Sequence, residues 1–194
     1  MKRAVLFATL VALVAAALPA AASTFLAMDQ RALVRASDAV VRGQVTDVRS
    51  FWNEEATAII TEASVKVDET FAGTAPGVVV VRTFGGQVGP VYIEAHGFPT
   101  FRKGQHLVLY LAGAGDVAEV VGYQQGQYRI VTRKSDGAKV AVPTVDSGAS
   151  LIHADGRAAA RPRAVALDTL RAEVKAVADH NIGEDLRTTA DESR

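Results

Sequence analysis

The chain contains no cysteine, and that absence removes more chemistry than any motif adds. Thiolate nucleophiles, thiolate metal sites, redox pairs and a disulfide framework are all excluded. Charge of one sign is also lacking: 21 basic residues balance 21 acidic ones, with no long run of either. Nucleic acid or an anionic membrane surface would demand clustered Lys and Arg, so neither is an expected partner. No His-Glu-x-x-His or Gly-x-Ser-x-Gly pattern occurs, and with them go two common hydrolase signatures. Aromatic residues make up only 6% of the chain, so each one placed outside a core becomes a candidate for recognition.

What is present begins with an address. Lys2 and Arg3 precede an apolar run from Ala4 to Leu18, followed by Pro19 and Ala20-Ala21-Ala22. This is the charged, apolar and small-residue order of a secretory signal peptide. The run is short for a membrane-spanning helix, which needs about 20 apolar residues. There is no cysteine to lipidate and no twin-arginine pair. The expectation is Sec export to the periplasm or beyond, cleavage near Ala22, and no transmembrane span afterwards. The remaining residues, from Ser23, suffice for one domain with an ordinary hydrophobic core.

Residues 23–156 read as that domain. Met28 to Ala36 predicts a brief helix with Asp29 near its start and Leu33 and Val34 on its apolar side. Alternation then predicts strands from Ala39 to about Val145. In Ala39–Val48 the parity slips before Val48, as a β-bulge would produce. In Thr61–Asp68, Thr61, Ala63, Val65 and Val67 face one way and Glu62, Ser64, Lys66 and Asp68 the other. Phe71-Ala72-Gly73 and Pro76-Gly77 read as turn residues. Val78–Thr83 and Leu107–Leu111 are continuous apolar runs, expected to be buried on both faces. Val91–Ala95, Val117–Val121, Tyr128–Thr132 and Lys139–Val142 complete about eight short strands, with Asp136-Gly137 marking a hairpin. The fold class that follows is mainly β: a small antiparallel barrel or sandwich.

Residues 157–194 read as a connector, a C-terminal helix and a polar tail. From Ala166 to about His180, Leu167, Leu170, Val174 and Val177 form one apolar stripe. The polar face lacks the basic residues and aromatic anchors of a membrane-surface helix, so the stripe is expected to dock on the β-domain. Gly183 onwards is polar and expected to be frayed.

Three segments carry a resemblance: Ser37-Asp38-Ala39-Val40-Val41-Arg42-Gly43-Gln44-Val45, Val65-Lys66-Val67-Asp68-Glu69-Thr70-Phe71-Ala72-Gly73, and Phe101-Arg102-Lys103-Gly104-Gln105 before His106–Leu111. With them the chain resembles an exported bacterial β-domain family sometimes encoded near secreted metallopeptidases. More distantly, over about Met28–Thr132, it is similar to the netrin-like, OB-type domain of the tissue inhibitors of metalloproteinases. The resemblance implies a barrel fold and a secreted metallopeptidase as partner. It does not carry over an inhibitory site, because those inhibitors chelate zinc through an N-terminal cysteine that is missing here.

Among groups able to do chemistry, Asp146-Ser147-Gly148 looks like half of an aspartic-peptidase site. Such a site needs two carboxylates, here only through a retropepsin-like dimer, and the bland reading is a turn in which Asp146 bonds local backbone. Gly113-Ala114-Gly115-Asp116-Val117-Ala118 fits a dinucleotide fingerprint formally, but a strand rather than a helix is expected after it, so it reads as a hairpin turn. Glu94 and His96 would share a strand face, yet two ligands do not make a zinc site. His106 opens a strand, His153 sits in a loop and His180 ends the helix. No cofactor is expected. The functional expectation is an exported, non-enzymatic binding protein that inhibits or escorts a secreted peptidase. The alternatives are a peptidase using Asp146 and a structural envelope protein. The candidate recognition residues are Trp52, Phe84, Tyr92, Phe98 and Phe101, with Tyr123 beside them.

Overall fold

The structure, a computed structural model, describes residues 23–113 and 117–192, with side chains to 181. The signal-peptide reading of Met1–Ala22 falls outside the described residues, as do Ala114, Gly115 and Asp116 of the glycine run. In chain order the elements are β1 (Ser23–Leu26), α1 (Gln30–Arg35), β2 (Ala39–Trp52), β3 (Ile59–Gly73), β4 (Val78–Phe84), β5 (Gly86–Val88) and β6 (Val91–Ile93). There follow β7 (His106–Ala112), β8 (Val117–Val120), a 3₁₀ turn (Tyr123–Gly126), β9 (Gln127–Thr132), β10 (Lys139–Pro143), β11 (Ala149–Ile152), β12 (Val165–Ala166) and α2 (Leu167–Glu192).

Five strands close a barrel rather than a sandwich. β2, β3 and β4 form an antiparallel meander, β7 returns beside β2, and β8 lies antiparallel to β7 and parallel to β4. β7 can serve three neighbours because β8 takes its C-terminal end at Leu111 and Ala112, while β9 takes Leu107 to Leu109. β9, β10 and β12 then extend the sheet away from the barrel. The slip expected before Val48 is present, with a register shift between Val45 and Asp47, and two more shifts lie earlier in β2. Such shifts bend and twist a strand, which ring closure requires.

The apolar pattern explains two cores. Val41 and Val45 of β2, Val65 of β3, Val79 and Val81 of β4, and Leu107, Leu109 and Leu111 of β7 fill the barrel. The opposite faces of β2 and β7, through Val40, Val108 and Tyr110, meet Leu33 and Val34 of α1 and Leu167, Leu170 and Val174 of α2. β7 is therefore buried on both faces, as its apolar run implies. β4 is not: Val79, Val81 and Thr83 are buried, whereas Val78, Arg82 and Phe84 are exposed, because among the described residues no helix covers that side of the barrel. The stripe on α2 docks as expected. Fully burying each such Leu or Val contributes roughly 1.5–3 kcal/mol.

Local signals account for the ends. The Asp29 carboxylate accepts from Ala32 N at 2.7 Å and caps α1, and Arg171 of α2 pairs with Glu69 of β3 at 2.9 Å. Arg133 donates to Asp136 across the β9–β10 turn.

Several expectations need correction. Phe71-Ala72-Gly73 are the last residues of β3, with Phe71 buried against the helices, so the turn starts only at Thr74. There are twelve strands rather than eight among the described residues, since β1, β5, β11 and β12 are too short to register as alternation. α2 continues in backbone to Glu192, which puts His180 in mid-helix and the segment after Gly183 within the helix.

Candidate functional site

One end of the barrel holds an open cleft of about 450 Å³. Its floor is formed by Val48 and Ser50 of β2, Thr61 of β3 and Thr83 of β4, and its wall by the loop from Glu94 to Arg102. The β5–β6 hairpin overhangs it, contributing Gly86, Gln87, Tyr92 and Ile93. All three residues of β6 are exposed, Tyr92 the most at 64%. The hairpin grows from the end of β4 because Gly85 and Gly86 both adopt positive φ. At Gly86 any Cβ would overlap the hydroxyls of Thr61 and Ser50, so the close crossing over the barrel mouth requires glycine.

The loop is held by side chains that no periodicity reveals. Gln127, with no exposed surface, donates to Thr100 O at 3.0 Å and accepts from Thr144 Oγ1 at 2.8 Å. Thr83 Oγ1 donates to Pro99 O at 3.0 Å, and Gln124 Nε2 donates to Phe98 O at 3.0 Å. Each bond satisfies a buried amide or hydroxyl that would otherwise carry a desolvation penalty of about 1–3 kcal/mol. The signal for them is the polar run Gln124-Gln125 and Gln127 in the gap between two strands. A strand-by-strand reading passes over it.

Asp146 lines the same cleft. Its carboxylate accepts from Gln124 Nε2 at 2.9 Å, Gly148 N at 2.8 Å and Gly97 N at 3.5 Å, while its own N–H donates to Gln124 Oε1 at 2.8 Å. Burial pushes this carboxyl upward, but the hydrogen bonds from Gln124, Gly97 and Gly148 together outweigh it and hold the group below the usual aspartate value. A carboxylate so engaged is a structural acceptor, which agrees with the turn reading of Asp146-Ser147-Gly148. Ser50 and Thr61 are engaged as well: Thr61 Oγ1 donates to Gly85 O at 2.6 Å and Ser50 Oγ lies 2.7 Å from Thr61 Oγ1.

Glu94 and His96 do not share a strand face. They follow β6 in the loop, 3.9 Å apart at Nδ1 and Oε1, with the His96 ring over Gly148. Among the described residues no three His, Asp or Glu side chains converge on a point that could hold a metal ion. Of the glycine run, Gly113 at the end of β7 donates its N–H to Asp38 at 2.7 Å, and the described residues from Val117 form β8, a strand antiparallel to β7.

The five recognition candidates separate. Phe84 and Tyr92 line the cleft from its exposed rim, and Phe101 lines it from beneath, where it is buried in the barrel core. Phe98 joins Phe84 at 5.5 Å between ring centroids and Tyr123 at 4.9 Å, and Phe25 of β1 completes the cluster at 4.8 Å from Tyr123. Trp52 stands apart, at the end of β2 opposite Ile59.

On the barrel wall, Glu62 of β3 is 6% exposed and receives Arg49 Nη2 at 2.6 Å from β2 and Arg82 Nη2 at 2.7 Å from β4. The Arg82 and Arg49 hydrogen bonds, in that order, hold its carboxyl below the ordinary glutamate value against the opposing effect of burial. The alternation places Glu62 on the face opposite Ala63 and Val65, and there two guanidinium groups cover it.

No family model matches the chain, and neither a curated protein nor a solved structure matches it.

Proposed function

We propose that the chain is an exported, non-enzymatic binding protein that inhibits or escorts a secreted peptidase, using the cleft beneath the β5–β6 hairpin. The observation that carries the reading is the contrast within that cleft. Its rim presents exposed apolar and aromatic surface at Tyr92, Ile93 and Phe84, while its polar groups at Ser50, Thr61, Asp146 and Gln124 are occupied by one another. Exposed aromatics around a concavity favour recognition, and hydroxyls and carboxylates tied into structure are poor nucleophiles and bases. The peptidase as partner rests on the netrin-like resemblance. The Greek-key route of the barrel, a three-stranded meander closed by a later strand parallel to its third member, supports an OB-type reading of that resemblance.

The test is affinity capture. Exported proteins are passed over the immobilised protein and over an unrelated barrel of similar size. A peptidase retained in stoichiometric amount by the first alone is the expected result, and equal retention on both refutes the reading.

A second reading is favoured by one observation, that Asp146 lines the cleft. As a retropepsin-like peptidase the chain would dimerise and cleave peptides best in acid, and Asp146→Asn would abolish cleavage. Equal background activity in wild type and variant disposes of it.

A further inference from the structure

Away from the cleft, a second pocket of about 290 Å³ opens between α1, the 157–163 connector and α2. Its volume lies near the lower end of the range for small-molecule sites. Leu33, Leu151, Pro162 and Leu170 supply an apolar wall. Tyr128 lines the pocket, its ring buried and its hydroxyl in no hydrogen bond among the described residues, so that it opens to the solvent of the pocket. An open phenol of this kind can donate to a ligand atom in exchange for water.

Two opposite charges stand at the same pocket. Glu173 comes from α2 and Arg163 from the connector; both are exposed, and neither forms an ion pair or side-chain hydrogen bond among the described residues. Asp29, the other acid there, is spent on the α1 cap. Glu173 also faces the buried phenols, since its charge adds to the burial that raises the Tyr128 hydroxyl above the ordinary tyrosine value. An acid, a base and a free hydroxyl arranged around an apolar wall, with the two charges unpaired, match a molecule that carries both charges itself.

We infer that this pocket binds a small zwitterion with an apolar side chain, of the size of a free α-amino acid, whose ammonium group meets Glu173 and whose carboxylate meets Arg163. The apolar side chain lies against Leu33 and Leu170, and the Tyr128 hydroxyl donates to the ligand. The site is separate from the cleft and stands whether or not that cleft binds a peptidase.

The probe is L-leucine, titrated into the full chain and followed by amide chemical shifts. N-acetyl-leucine, which lacks the ammonium, and leucinamide, which lacks the carboxylate, are the comparison ligands. Saturable shifts of residues around Tyr128 are expected with leucine, and at least tenfold weaker binding with each derivative. Glu173→Gln should erase the difference between leucine and N-acetyl-leucine, and Arg163→Gln that between leucine and leucinamide. Both positions are exposed, so both variants keep the fold, which their unchanged spectra without ligand would verify. Absence of saturable shifts with leucine overturns the inference. So does equal affinity for the three compounds, or a variant that weakens all three alike.

Discussion

Gln124 and Asp146 hold each other twice: the Gln124 amide donates to the Asp146 carboxylate at 2.9 Å, and the Asp146 backbone N–H donates back to Gln124 Oε1 at 2.8 Å. The pair joins the 3₁₀ turn to the segment before β11, and through Gly97 N it also fixes the cleft loop. Asp146→Ala should therefore cost about 1–3 kcal/mol in urea unfolding, because Gln124 is buried and loses its acceptor. The Asp146 carboxyl is lowered on folding, so its contribution is present above the unfolded-chain value near 3.8 and disappears as pH falls through the lower folded value. The variant should show less acid sensitivity than wild type below about pH 4.

Glu62, on the barrel wall, gives a second acid-dependent contribution. Its carboxyl is also lowered on folding, so stability from the Arg49–Glu62–Arg82 group is full above pH ~4.5 and lost on acidification. Glu62→Gln keeps the shape and removes the charge. An expected loss of roughly 1.5–3 kcal/mol at pH 7, shrinking as the pH falls below the unfolded value and through the lowered folded one, would be read from denaturation midpoints.

Gly97 adopts φ +85° and lies against the Phe25 ring, so an added Cβ would overlap it. Gly97→Ala should cost at least about 1–3 kcal/mol from backbone strain alone. It should also displace Phe25 from Phe98 and Tyr123. Faster amide exchange in β1 and β11, with the barrel strands unchanged, is the expected signature.

Val174 has no exposed surface and sits between α2 and the outer face of β2 and β7. Val174→Ala should destabilise by about 1–3 kcal/mol, while Lys175→Ala on the solvent side should stay within about 0.5 kcal/mol. Equal effects would mean that α2 does not dock through this stripe.

The alternation of Val41, Gly43 and Val45 and the slip before Val48 made β2 legible, because one face of each barrel strand must exclude water. The stripe of Leu167, Leu170 and Val174 made α2 and its docking legible for the same reason. The burial of β4 on one face only was not legible: Val78–Thr83 reads alike whether or not a helix covers it, and that depends on where α2 lands. The cleft was half legible. Phe84 and Tyr92 stand out in the sequence as scarce aromatics, but nothing there separates them from Phe101, which plugs the barrel. Gln124, Gln125 and Gln127, which set the loop and the 3₁₀ turn, carry no periodicity, since their partners are backbone groups up to about a hundred residues away.

Binding through the hairpin rim is most directly tested by titrating the captured peptidase into wild-type protein and into Tyr92→Ser. Tyr92 is the most exposed aromatic of the rim and makes no ring contact among the described residues, so the substitution leaves the barrel intact. The account predicts a one-to-one complex with wild type and affinity at least tenfold lower for the variant, the loss of about 1.4 kcal/mol or more expected when a central aromatic is removed. Unchanged affinity in Tyr92→Ser would contradict it.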